Sequence, residues 1–192
     1  MKQSIAVILS LLAGQTFCSE DFNGDFEKCM ADRSGRPQPV GWVSNQRVSK
    51  NATVRLTKDS GCFRSGYFGL LVETEEGGRL SFRSLKMVPV QSGDRIKMKI
   101  FAKGIGKYHL QYIVYAVDDP KKNVFIQTVG FPRTDSPKED EWGLYVVEAE
   151  FISTSKMKAK GSKFAIIPVI NVQENSEIIF DDFSLEIIPC SK

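Results

Sequence analysis

The chain has 192 residues, 42% of them hydrophobic and 26% charged. That composition suits one globular domain with a full-sized core and excludes a disordered chain. Its 26 basic and 23 acidic residues give a formal net charge of +3 without a basic stripe, so nucleic acid is not an expected partner.

The chain opens on an export pattern. Lys2 supplies a positive start and Ile5 to Ala13 an apolar run of nine residues, too short for a bilayer core that needs about 20. Small residues follow at Ala13 and Gly14, as a signal peptidase requires. A leader over residues 1–14 is expected, then a single domain over 20–190 with no transmembrane segment, secreted or periplasmic. Removing the leader takes away Lys2 alone, which leaves 25 basic against 23 acidic residues, or +2. Outside the cytoplasm, Cys18, Cys29, Cys62 and Cys190 are expected to form disulfides. Zinc is not expected, because the cysteines form no CxxC pair and His109 is the sole histidine.

Strands follow one another after the leader, separated by turns. Candidates are 52–58, 67–73, 79–85, 95–102, 108–117, 123–129, 144–152, 164–172 and 177–188. The segment 95–102 alternates polar and apolar without a break, the period of a strand with one buried face. The segment 108–117 is rich in the aromatic and β-branched residues that strands favour. Turn signals at Gly77-Gly78, Ser92-Gly93-Asp94, Gly104-Ile105-Gly106, Asp118-Asp119-Pro120 and Gly161-Ser162 punctuate them. No window shows a helical period with caps. Many short strands predict an all-β, two-sheet β-sandwich or a barrel.

Catalytic signals are sparse. His109 lies mid-strand, and no Gly-x-Ser-x-Gly elbow accompanies it. Glu148 and Glu150 lie two residues apart on one strand face, ~6.6 Å along the chain, a separation found between paired catalytic acids. No third acid or aromatic joins them on that face, so a solvated face is the preferred reading and a hydrolase or lyase the alternative.

Two segments at opposite ends of the chain carry a family resemblance: Asn23-Gly24-Asp25-Phe26-Glu27 with Gly41-Trp42 later, and Ile179-Phe180-Asp181-Asp182-Phe183-Ser184-Leu185. Between them, in the same order, stand Ser65 to Val72, Ile100 to Gly104 and Glu141-Trp142. The chain resembles carbohydrate-binding modules of the galactose-binding-like jelly-roll type, the grouping of families four, nine and twenty-two. The resemblance implies a two-sheet jelly roll that recognises a polysaccharide or oligosaccharide as a monomer without catalysis. It also implies a structural calcium ion held by carboxylates of Glu27 and Asp181 and by carbonyls of Asp25 and Tyr67, hard oxygen donors of the kind calcium takes. Asp181 is preferred over Asp182 because strand parity places it with apolar Phe183, Leu185 and Ile187. Both tryptophans are expected in the core.

Strand parity then selects a sugar face of Phe101, His109, Gln111, Tyr115 and Phe125, with Gln127 beside Phe125. If the first and last strands pair antiparallel with Glu27 near Asp181, their numbers sum to 208, as do those of Cys18 and Cys190. That ladder predicts Cys18–Cys190; Cys29 lies two residues after Glu27 and Cys62 shortly before Tyr67, both near the expected ion, so Cys29–Cys62 is the second expected disulfide. A structural or adhesive envelope domain without a sugar ligand is the alternative to glycan binding.

Overall fold

The computed structural model describes residues 15–17, 22–31, 37–44, 51–119, 121–132 and 134–190, with the backbone alone described for 15–17. The leader over 1–14 and Cys18 lie outside the described residues.

Fourteen strands and one short helix are described: β1 (Gln15–Phe17), β2 (Cys29–Ala31), β3 (Pro37–Pro39), β4 (Trp42–Ser44), β5 (Ala52–Thr57), β6 (Gly69–Thr74), β7 (Leu80–Ser84), β8 (Val88–Val90), β9 (Arg95–Ile105), β10 (Tyr108–Asp119), β11 (Lys122–Gly130), β12 (Gly143–Glu150), α1 (Ser155–Lys158), β13 (Phe164–Val172) and β14 (Ser176–Ile188). One sheet runs β12-β9-β14-β6-β5, with β1 also on β14. The other runs β11-β10-β13-β7-β4, with β8 also on β13, and β2 and β3 form a separate hairpin. The two sheets pack as a sandwich.

The alternation read from sequence is what closes it. Ile96, Met98, Ile100 and Ala102 of β9 are buried, as are Tyr108, Leu110, Tyr112, Val114 and Ala116 of β10. Strand β13 is buried at eight of its nine positions, on both parities. Such a run marks the middle strand of its sheet, flanked by β10 and β7.

An aromatic cluster ties the chain ends together. The Trp42 ring lies parallel to Phe82 at 5.2 Å and edge-on to Phe183 at 5.3 Å and Phe26 at 5.9 Å. Its indole N–H donates to the Phe22 carbonyl at 2.6 Å. Trp42 is therefore core, as expected. Trp142 is not: it is half-buried, with Lys103 Nζ 5.6 Å over its ring.

Several expectations need correction. Strands β1 to β4 and β8 went unread, being three residues each, and Pro89 interrupts the β signal of β8. Residues 15–17 pair with β14. Strands β1 and β14 are antiparallel as expected, but Gln15 faces Ile187 and Phe17 faces Leu185, a sum of 202. Cys18 lies outside the described residues, so its pairing with Cys190 stands as an expectation. The Cys29–Cys62 bond is not formed, and both are free thiols. Cys29 is exposed on β2 opposite Pro39, whereas Cys62 closes a turn by donating its N–H to Asp59 O at 2.8 Å. The helix α1 is a single capped turn, too short to show a period. No helix among the described residues is long and apolar enough to cross a membrane.

Candidate glycan-binding face and chain-end clamp

Antiparallel partners point to the same side of a sheet, so the register of the second sheet fixes which side chains share its outer face. Four rows result. Phe125, Tyr115, Ala165 and Pro89 form the first, and Thr128, Ile113 and Ile167 the second. Gln111, Val169, Arg83 and Val43 form the third, and His109, Asn171 and Ser81 the fourth. Between these rows lie the positions that fill the core, such as Leu110 with Ile170 and Phe82.

The face has an apolar floor and polar flanks. Ala165, Ile167 and Val169 are only 3%, 6% and 3% exposed, although they point away from the core. They sit low between the longer side chains of β10 on one side and Arg83 and Pro89 on the other. At one end Tyr115 and Phe125 meet edge to face at 6.1 Å, and Phe125 is 53% exposed. At the other end Asn171 Nδ2 donates to Ser81 Oγ at 2.8 Å. Gln111 Nε2 lies 2.5 Å from His109 Nε2. Burial lowers the His109 pKa. Four of the five expected sugar-face residues are thus brought together.

Phe101 is not among them. It lies on β9 in the first sheet, opposite Asp181, with the Arg64 guanidinium 3.6 Å over its ring. Gln127 faces the core-side Val114, because the β10–β11 ladder shifts register between Val114 and Tyr115. Asn171, Val169, Ile167, Ser81 and Arg83 were missed, since their place depends on the β10-β13-β7 order.

Glu148 and Glu150 stand on the outer face of the first sheet, opposite Lys97 and Arg95. Glu148 pairs with Arg95 and lies 3.9 Å from Lys97. It is one half of a cross-strand ion pair.

The residues expected to hold calcium also converge, around the segment between β5 and β6. Glu27 Oε1 accepts the N–H groups of Tyr67 at 2.7 Å and Phe68 at 2.8 Å. Asp181 Oδ2 accepts those of Arg64 at 2.7 Å and Ser65 at 3.0 Å, and Oδ1 that of Asp182 at 2.8 Å. Asp182 is bonded by the Arg64 guanidinium and by Ser65 Oγ at 2.8 Å. Asp25 is tied in by Glu27 N at 3.4 Å. A Cβ on Gly66, which holds φ at +64°, would collide with the Glu27 carboxyl. Only glycine fits that close approach.

Asp181 is fully buried, but not for the reason parity gave. Phe180 and Phe183 both face the core because the β9–β14 ladder shifts between Asp181 and Ser184, where Asp182 holds φ at +49°. Asp181 therefore points outward and is buried beneath the 64–68 loop. Desolvation, the largest cause, pushes its pKa up to about 6 against the pull of the Ser65 and Arg64 N–H groups. It makes no ion pair among the described residues. Its donor chemistry suits a hard cation, although no group of three or more His, Cys, Asp or Glu among the described residues is placed to hold a metal.

A cavity of about 1120 Å³ opens at another place, lined by Val90, Asp94, Val117, Phe164, Ile187 and Cys190 among others. Its acid is already used: Asp94 Oδ2 accepts Gln91 N at 2.7 Å and Oδ1 accepts Cys190 N at 3.3 Å.

No protein-family model and no curated protein matches the chain. Solved structures do. The CBM22-1 xylan-binding domain of Paenibacillus barcinonensis Xyn10C matches over 93% of this chain and 98% of that domain, at 12% identity and a TM-score of 0.52. This chain has the jelly-roll fold of carbohydrate-binding modules. A cyclase from Fischerella sp. TAU matches over 94% of this chain and 100% of its own, at 14% identity and a TM-score of 0.55. The jelly-roll fold therefore houses both a sugar-binding module and an enzyme, and the side chains must decide between them.

Proposed function

We propose that this jelly roll is a secreted, non-catalytic module that binds an extracellular glycan on the outer face of its second sheet. The observation that carries the reading is the row of Tyr115 and Phe125 at the end of an apolar floor of Ala165, Ile167 and Val169, with Gln111, Asn171 and His109 alongside. Sugar rings have an apolar face that stacks on an aromatic side chain and hydroxyls that bond to amides. No carboxylate stands in the four rows to act as acid or base, and His109 is engaged by Gln111, which supports recognition rather than reaction.

Calcium belongs to the same reading, at the chain-end clamp. Glu27 and Asp181 would supply carboxylate oxygens, and Asp25 and Tyr67 carbonyls. The bound ion would lock the 64–68 loop and neutralise the buried Asp181.

Tyr115→Ala tests the face. Calorimetric titration with a bound oligosaccharide should show a loss on the order of 1–3 kcal/mol, by analogy with a nucleobase stacked on an aromatic side chain. Unchanged affinity with an intact fold would remove this face from the account.

A further inference from the structure

We infer that this face selects an anionic glycan, one bearing a carboxylate or sulfate on its sugars, and that Arg83 is its specificity-determining residue. The inference rests on the glycan-binding reading and names the ligand's charge.

Arg83 lies in the third row, level with Gln111 and across Val169 from it. It is exposed and makes no ion pair among the described residues. The four rows hold this one cation and no aspartate or glutamate. Beyond the rows, at the end of β10, stand two acids: Asp118, whose Oδ1 accepts from Ser162 Oγ at 2.5 Å and Lys163 N at 3.2 Å, and Asp119, whose Oδ1 accepts from Lys121 N at 2.8 Å. Beside the aromatic end, Lys160 Nζ reaches the Phe125 carbonyl at 3.4 Å. Within the four rows, the charge is therefore that of Arg83 alone.

A guanidinium is weakly hydrated, permanently charged and shaped to grip a carboxylate or sulfate through two parallel hydrogen bonds. A neutral sugar offers it only hydroxyl lone pairs. Against the apolar Val169 and Val43, Arg83 is poorly served by a neutral ligand and well served by an acidic one. The aromatic row and the Arg83 row are four residues apart, ~13 Å along the strand. A ligand that engages both is longer than one sugar.

Affinity electrophoresis of the full chain and of Arg83→Gln tests this. The gels contain galactan, polygalacturonate, dextran or dextran sulfate. The polygalacturonate arm reads carboxylate and the dextran sulfate arm reads sulfate. The wild-type chain should bind at least one acidic polymer about tenfold more tightly than its neutral counterpart, which is about 1.4 kcal/mol. That preference should fade with added salt and vanish in Arg83→Gln. Arg83 is exposed, so an unchanged melting temperature will confirm that the variant folds. Equal retention by neutral and acidic partners would overturn the inference and leave the glycan-binding reading standing, as would a preference that survives Arg83→Gln. Retention by none of the four polymers would overturn both.

Discussion

Trp42→Ala is expected to destabilise the fold by about 3–5 kcal/mol, the cost of emptying a large aromatic site in a close-packed core. The effect is large because Trp42 joins segments from both ends of the chain. Its ring contacts Phe26 near the start, Phe82 in β7 and Phe183 in β14, and its N–H holds the Phe22 carbonyl. Truncation leaves a cavity among rings that the two sheets hold in place, so collapse around it is limited. For a chain of this size the melting temperature should fall by roughly 10 °C, at about 2–4 °C per kcal/mol. The segment carrying Glu27 should loosen as well, and amide exchange at Tyr67 and Phe68 should rise with it. A shift of only a degree or two by calorimetry would mean that Trp42 is not central to the core.

Raising the pH from 4 to 7 is expected to destabilise the metal-free protein through Asp181. Its pKa is raised in the folded state from 3.8 to about 6. The native state therefore holds a proton that the unfolded chain releases between those values. Below pH 3.8 both forms are protonated and the contribution to stability is fully present. It is lost as pH rises through 6, for a change of about 3 kcal/mol. Asp181→Asn removes the titrating group and keeps one oxygen for the Arg64 and Ser65 N–H groups. In a chelator, the variant should gain on the wild-type chain as pH rises, by up to that amount. With calcium at a hundredfold excess over its dissociation constant, the wild-type chain alone should gain about 2.7 kcal/mol. Denaturation curves of the two proteins that run parallel across this pH range would show Asp181 to ionise as an ordinary carboxylate. Identical wild-type curves in calcium and chelator would remove the ion.

What the sequence disclosed follows from how local each signal is. The alternation of β9 and β10 is contained within each strand, so their core faces were legible directly. Tyr115, Gln111 and His109 followed from the same parity. Phe101 did not, because parity tells inside from outside but not which sheet a strand joins. Arg83 and Asn171 become site residues only through the β10-β13-β7 order. Asp181 shows the limit of parity within a strand: the register shift after it reverses the alternation, and its burial comes from a loop more than 110 residues away in sequence, as the Arg64 and Ser65 bonds show. The Cys29–Cys62 pairing failed because it rested on both cysteines lying near the expected ion, which does not bring their sulfurs together; the register of β1 on β14 differs from the ladder assumed for Cys18 and Cys190.

The central claim is that the outer face of the second sheet binds a glycan. A glycan array carrying neutral and acidic oligosaccharides, probed with the folded protein in calcium buffer, tests it most directly. The account predicts binding to at least one oligosaccharide class, stronger for anionic than for neutral members. A folded, monodisperse protein that binds none of the glycans above background would contradict it.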